Sequence, residues 1–383
     1  MHTILATLIP FVILILFGAP AVDAGTKNTV TGVEYVGSKA CQACHQKQYK
    51  AWENSLHTQM VRPIAKGDFK NVKADLTVAG APKPDQYDWA YVIGGWYKEE
   101  RYAFRDAQGN VISGEFEYNK PLNHFVLRKD RAGNLERLDW FNSCGGCHAT
   151  GVDYKARQFN ELNIGCEACH GPGALHVKDP KGSKVAVDKT SEGCGQCHIR
   201  GQDTSKKFGY PIDYEFNKPQ TLLAKFDPIP VTDTGSVYPD QKNSNRHRQQ
   251  YLDWKKSQHA AAQVTCNTCH DPHVGALNYR TGMLREDDRA LCGQCHEAIV
   301  GDPAKHSGHR YEQASCSACH LPKIIASGSL STHTFEAIPP AKTIQYGVDD
   351  RGRMKMPNSC MAYCHKGTDV AAMDVKYKTL FKK

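Results

Sequence analysis

The chain has 383 residues, 40% of them hydrophobic, with 16 Cys, 18 His, 32 Gly, 19 Pro and a formal charge of +8. That hydrophobic share is below the roughly 45–50% of an average globular domain, so the chain is short of its own core material. The 17 Tyr, 13 Phe and 5 Trp, without a long like-charge block, exclude a disordered chain. A single long apolar run excludes a multi-span membrane protein, and cysteine at about 4% falls short of the ~8–10% of small disulfide scaffolds.

The apolar run comes first, from Thr3 to Pro20, followed by Val22-Asp23-Ala24 and Gly25. Small residues at the third and last positions before a break predict a signal peptide, residues 1–24, cleaved after Ala24. The alternative is an uncleaved anchor of about 18 residues. Either way the bulk of the chain is exported, periplasmic or extracellular, with membrane association if the anchor stays. There covalent cysteine chemistry is permitted.

Further on, the 98 residues from Gln46 to Ser143 carry no cysteine. Within them DWAYVIGGWYKEERYAFRDAQGNVISGEFEY is rich in aromatic and β-branched residues. Asp106-Ala-Gln-Gly-Asn110 reads as a turn between two strand-like runs, which predicts a small antiparallel β-insertion over about 70–140. Residues 201–258, with FNKPQTLLAKFDPIPVTDTGSVYPD, read as a linker or wrapping loop. Elsewhere short helices after each cysteine pair and much irregular chain are expected.

Every cysteine falls in a pair, and histidine follows each pair at once. The pairs are Cys41/Cys44-His45, Cys144/Cys147-His148, Cys166/Cys169-His170, Cys194/Cys197-His198, Cys266/Cys269-His270, Cys292/Cys295-His296 and Cys316/Cys319-His320. The eighth, Cys360/Cys364-His365, has three intervening residues instead of two. C-x-x-C-H is the attachment signature of c-type haem. Two thiols one helical turn apart can add to the two vinyl groups on one edge of a porphyrin, and the next residue points its imidazole at the iron. Zinc sites need four ligands and leave the histidines unexplained, as do disulfides. The spacing therefore predicts eight haems c with their iron, the eighth through a wider loop. It divides the chain into four sites within 25–200 and four within 259–383. The expected fold is mainly α with much irregular chain, packed around the haems, plus the β-insertion.

Nine histidines remain besides His2 and the eight attachment residues: His57, His124, His176, His247, His259, His273, His306, His309 and His333. Eight irons need at most eight further axial ligands, so the supply covers bis-histidine coordination with at least one to spare. His273 lies three residues after His270 and cannot pass round the same porphyrin, so it serves another haem or none. A continuous helix would put His57 about 18 Å from His45 at 1.5 Å per residue, so His57 also reaches another haem. Gly171-Pro172-Gly173 lets the chain turn back before His176. His259 opens SQHAAAQVTCNTCH. His306 and His309 lie between the sixth and seventh sites, where one of the two suffices. His333 follows the seventh site. His124 and His247, inside long cysteine-free stretches, are the weakest candidates.

The strings YVGSKACQACHQKQYKAWENSLHTQM, VIGGWYKEERY, WFNSCGGCHATGVDY, NIGCEACHGPGALHV and GCGQCHIRG resemble the superfamily of the tetrahaem cytochrome that accepts electrons from hydroxylamine oxidoreductase. QQYLDWKKSQHAAAQVTCNTCHDPH, CSACHLPK, STHTF and PNSC extend the resemblance over most of residues 35–365. It implies a mostly helical, haem-filled multihaem cytochrome fold with stacked and T-shaped haem pairs. It carries His57 and His176 over as distal ligands and suggests the same for His259, His273 and His333. The eighth site departs from the family's spacing.

Removing residues 1–24, whose one charged side chain is Asp23, leaves +9. Eight haems would bring sixteen propionates and, when ferric, eight positive cores, so the holo-protein would carry about +1 oxidised and about −7 reduced, and the basic balance is no argument for nucleic acid. Two functions fit. One is an electron carrier along closely packed, low-spin haems, exchanging electrons with other cytochromes or a quinol-oxidising complex. In that role it is an extracellular conduit, or a homo-oligomer or filament in which a histidine serves the next protomer. The alternative is an octahaem oxidoreductase with one open-site haem acting on small nitrogen or sulfur compounds such as hydroxylamine, nitrite or tetrathionate. That reading needs one iron without a second protein ligand.

Overall fold

In the computed structural model of the chain, residues 25–130, 132–273, 282–325 and 330–381 are described. The expected signal peptide or anchor lies outside them. Among the described residues no helix is long and apolar enough to cross a membrane.

The β-insertion forms a six-stranded antiparallel sheet. Its strands are β1 (Val61–Pro63), β2 (Asp88–Gly94), β3 (Glu99–Arg105), β4 (Val111–Asn119), β5 (His124–Leu127) and β6 (Leu138–Asp139). They lie in the order β1-β2-β3-β4-β5, with β6 pairing β4 near its start and β5 near its end. The β3–β4 turn is the one read from Asp106 to Asn110. The Asp106 carboxylate accepts the Gln108 and Asn110 N–H groups at 2.9 and 2.8 Å, and Gly109 supplies φ 81°. Alternation along β3 sends Glu100, Tyr102 and Phe104 to one face and Arg101 and Ala103 to the other. The first face packs Ile64, Trp89, Val92, Phe116, Tyr118 and Phe125 under the 64–87 loop. The second packs Val61, Ala90 and Tyr91 against Trp140 and Phe141, which lead into Cys144. The sheet is thereby the wall against which the second cysteine pair stands.

Helices are short, the longest described being Val370–Phe381. Many coincide with the cysteine pairs rather than follow them: Gly145–His148, Glu167–His170, Cys266–Cys269 and Cys316–His320. One helical turn brings residues i and i+3 to the same face, so the two thiols of each pair point the same way. The helix after His45 spans Gln46–Glu53 and stops there. A separate 3₁₀ turn, Leu56–Thr58, carries His57, so the two histidines are not on one continuous helix.

Residues 201–258 are more than a linker. Gly201–Asp203 pairs with Phe226–Pro228, and Ile199, Tyr214, Leu222, Phe226 and Tyr251 form a buried cluster. This segment delivers His247 and Arg248 to the second site, beside Arg200 just ahead of it.

Candidate functional site

The chain brings attachment-motif histidines face to face with distant ones. His45 faces His176 with ring centroids 6.3 Å apart, His170 faces His273 at 6.1 Å, and His296 faces His259 at 6.2 Å. His270 faces His333 at 6.3 Å, His320 faces His306 at 6.0 Å, and His365 faces His309 at 6.1 Å. His57 stands half-buried beside His198; desolvation, and after it the His198 charge, hold the His57 imidazole down at about 4. A transition metal lies about 2 Å from an imidazole nitrogen, and the ring centre lies about 1 Å behind that nitrogen. Two imidazoles on opposite sides of one iron therefore stand about 6 Å apart, the spacing seen here. Among the described residues no three His, Cys, Asp or Glu side chains converge as a bare metal ion would require, and all sixteen cysteines are outside disulfides. The residues fit a porphyrin iron held between two rings.

Backbone carbonyls set the ring orientation. The Nδ1–H of His176 donates to Ser183 O at 2.7 Å, that of His270 to Gly282 O at 2.7 Å, and that of His309 to Ser307 O at 2.9 Å. His320 and His333 do the same to Phe335 O and Ser331 O at 3.2 Å each. A donating Nδ1 leaves Nε2 with its lone pair free to ligate. Burial lowers the pKa of His170, His198, His259 and His270 and brings His333 down to about 4, which keeps these rings neutral. His333 is held further by Asp253, fully buried, whose carboxylate accepts the Thr332 hydroxyl at 3.0 Å and the Ser244 hydroxyl at 2.7 Å.

The sites are stitched to one another. Cys41 and Cys166 are within hydrogen-bonding reach, as are Cys147 and Cys197, Cys194 and Cys266, and Cys292 and Cys316. Cys169 acts electrostatically on Cys194 and Cys197, Cys295 on Cys269, and Cys360 and Cys364 on Cys319. Numbering the sites by motif, the neighbours run one–three–four–five–six–seven–eight, with site two attached to site four. Hydrogen bonds fasten the joints. Glu167, in the third motif, accepts the Val36 and Gly37 N–H groups just before the first. Ser191 accepts the Cys266 N–H at 3.2 Å, and Ser359 donates to Cys319 O at 2.7 Å. Because His273 crosses to His170, the regions 25–200 and 259–383 are interlocked.

Site two differs. Cys147 is buried, and Gly146 lies under the Tyr210 ring, which is 2.0 Å from where a Cβ would stand. Among the described residues no histidine faces His148 at the 6 Å spacing; the Trp140 ring is 6.1 Å away. Arg248 hydrogen-bonds Cys147, and after burial its charge is the cause that lowers His148 to about 4. His247 is driven down to about 3 by burial and by Arg200, Arg248, Arg101 and Arg246. The Nε atoms of Arg200 and Arg248 are buried without a protein partner, which also fits the propionate of a neighbouring porphyrin. The sequence carries no signal for this arginine cluster, because its members come from three separate stretches, around 101, 200 and 246–248. His124 sits at the start of β5, its Nδ1 3.4 Å from Leu122 O, away from every cysteine pair.

Known proteins resemble the chain in the same respect. The model of the family described as cytochrome c554 and c-prime matches residues 40–88 and 119–171, and that of the doubled CXXCH motif matches residues 259–301. The dissimilatory sulfite reductase MccA of Wolinella succinogenes is 20% identical over 79% of this chain and 53% of its own length. The multiheme cytochrome MtrA of Shewanella baltica is 25% identical over 41% of this chain and 35% of its own. The cytochrome c nitrite reductase subunit NrfA of Nitratidesulfovibrio vulgaris is 21% identical over 73% and 62%. The chain thus spans between about a third and three fifths of these relatives' lengths. The crystal structure of the outer cell wall cytochrome OcwA superposes with a TM-score of 0.70 at 22% identity, covering 90% of this chain and 86% of that one. That likeness shows a shared fold.

Proposed function

Because the chain is a multihaem c-type cytochrome, we propose that it relays electrons, in exchange with redox partner proteins, along eight haems c, one per cysteine pair. The carrying observation is the set of facing histidines. Six ring pairs at 6.0–6.3 Å, with His57 beside His198, supply two axial imidazoles to seven irons. Bis-histidine iron keeps its ligands in both oxidation states, so little rearranges when an electron passes. Axial ligand, burial and nearby charge are what the protein uses to tune each potential. The contacts between motifs support a path one–three–four–five–six–seven–eight. Intact mass and EPR of the secreted holo-protein test this. Eight haem masses and at least seven low-spin ferric centres are expected; a colourless product with titratable thiols would overturn it.

A second reading concerns site two, a side branch reached through site four. Among the described residues no histidine faces His148, while Arg248 and the neutral His247 bring donors to the same region. We infer that this iron takes its sixth ligand from solution and that a small oxyanion such as nitrite or sulfite fits the positive surroundings. One high-spin ferric signal, shifted by nitrite or sulfite and weakened by Arg248→Ala, is expected. Eight low-spin haems, none responding to either anion, would leave the relay alone. If the arginines instead hold a propionate, Arg248→Ala shifts a haem potential and leaves anion binding unchanged.

A further inference from the structure

The proposed path has two ends, and they differ in charge. At site one the ring pair is carried by two surface segments: residues 38–53, with helices Ser38–Cys41 and Gln46–Glu53, and residues 174–184, with helix Ala174–Lys178. Cys44 and His45 are exposed. Around them stand Lys39, Lys47, Lys50, Lys178, Lys181 and Lys184, all exposed. Among the described residues none of these six is in an ion pair with a carboxylate, although ion pairs are formed by lysines elsewhere, at Lys70–Asp68 and Lys218–Glu215 for example. The same two segments carry only two exposed carboxylates, Glu53 and Asp179, and Asp179 accepts the Gly182 N–H at 3.0 Å. At site eight the balance is close to even. Lys366 and Lys376 are set against Asp369, and Lys378 is paired with Asp374 at 2.6 Å.

Unpaired like charges held close together repel one another and contribute nothing to folding, so a chain that keeps them needs another reason. A ring of positive charge about an electron-carrying group steers a negatively charged partner and orients it before transfer. Between the lysines stand Gln42, Gln46 and Gln48, with Leu175 and Val177 as the large apolar side chains exposed on these two segments. The segments lack the broad Leu, Phe or Trp face by which a helix enters lipid, which favours a protein over a membrane surface. We propose that the lysine collar at site one is the docking surface for an acidic redox protein, making this end the charged port of the relay. The proposal rests on the relay reading above.

The test uses the full holo-protein and a reduced flavodoxin, an acidic one-electron donor, in stopped flow. The rate of haem reduction should fall by about tenfold or more from low to high ionic strength. The variant Lys47→Glu/Lys50→Glu/Lys178→Glu/Lys181→Glu should lose about tenfold at low salt and most of the salt dependence. The far-end variant Lys366→Glu/Lys376→Glu should stay within about twofold of the parent. Haem content by mass and spectrum separates the two ideas: without haem in the parent, the relay reading itself fails. If the fourfold variant does not take up its haems, the single reversals Lys47→Glu and Lys181→Glu, compared at low salt, carry the same expectation at smaller size. A salt-independent rate, or an equal loss in the far-end variant, would overturn the proposal. So would binding to phosphatidylglycerol vesicles that the fourfold variant abolishes while the flavodoxin rate stays unchanged.

Discussion

The β-sheet and residues 266–320 solve the problem of an interior in opposite ways, while beyond them Ile324, Ile325, Ile338 and Met356 form a side-chain core of their own. The sheet buries its own side chains: Trp89, Val92, Tyr102, Phe104 and Trp140 are all 6% exposed or less. In the later segment the helices Cys266–Cys269, Asp288–Gly293, Glu297–Gly301, Pro303–Ser307 and Cys316–His320 have no buried residue at all. Helices this short are unstable alone, because nucleation is costly and most helical stability comes from packing an apolar face. Something must supply that face, and three porphyrins tethered to this segment's cysteines would do so. The low hydrophobic content of the chain is therefore local: one region folds on protein, the other on cofactor.

The largest effect should come from withholding the cofactor. Expressed where haem is not attached, the chain should keep slow hydrogen exchange in β2, β3 and β4, while amides of residues 266–320 exchange at least ~10³-fold faster than in the holo-protein. Exchange read by mass spectrometry on proteolytic fragments checks this. Equal protection in both regions would remove the contrast. In the core between the sheet and the helix that follows it, Trp140→Ala should cost about 3–5 kcal/mol, as large aromatic truncations in cores do. Because Trp140 also stands beside His148, the same change should disturb the spectrum of one haem and leave the others. Denaturant unfolding and EPR on one sample report both.

In the later segment, single ligands should matter more than single core residues. His306→Ala and His309→Ala should each convert one low-spin haem to high-spin, and not the same one. His306 faces His320 and His309 faces His365. Magnetic circular dichroism of the two variants and their double should show one, one and two converted haems. One converted haem in the double would mean that the two histidines share an iron.

These outcomes bear on how much the amino-acid sequence discloses. The attachment residues are legible because covalent chemistry fixes Cys, Cys and His at a set spacing. The sheet is legible because period-two patterning and the Asp106–Asn110 turn are local. That His273 leaves its nearest motif also follows from spacing, whereas the argument for His57 rests on a continuous helix and the helix ends at Glu53. Their partners, His170 and His198, do not follow from spacing, because nothing local records a contact across some hundred residues. For the same reason both His306 and His309 find a facing ring where one had been thought enough. The carbonyls orienting the rings are backbone atoms and leave no trace in composition. The stretch 201–258 reads as a linker because Pro, Asp and Lys recur through it. Its buried Tyr214, Leu222, Phe226 and Tyr251 are too widely spaced to register as a periodic run.

The smallest change sharpens the contrast furthest. Asp287 and Asp139 are both helix N-caps, accepting the Ala290 N–H at 2.9 Å and the Asn142 N–H at 3.0 Å. Asp139 also pairs with Arg157 at 2.6 Å and begins the helix that buries Trp140 and Phe141, so its loss propagates into the sheet. Asp287 begins a helix with no buried residue, whose position is fixed by the Cys292 tether. Loss of a cap costs about 1 kcal/mol. In the holo-protein Asp139→Ala should therefore lower global stability by about that much or more. Asp287→Ala should leave the global midpoint where it is and only speed exchange at the N–H groups of residues 289–291. Equal shifts in the denaturation midpoint would mean that the later segment folds as one cooperative unit with the sheet, and that cofactor and side-chain cores are mechanically a single interior.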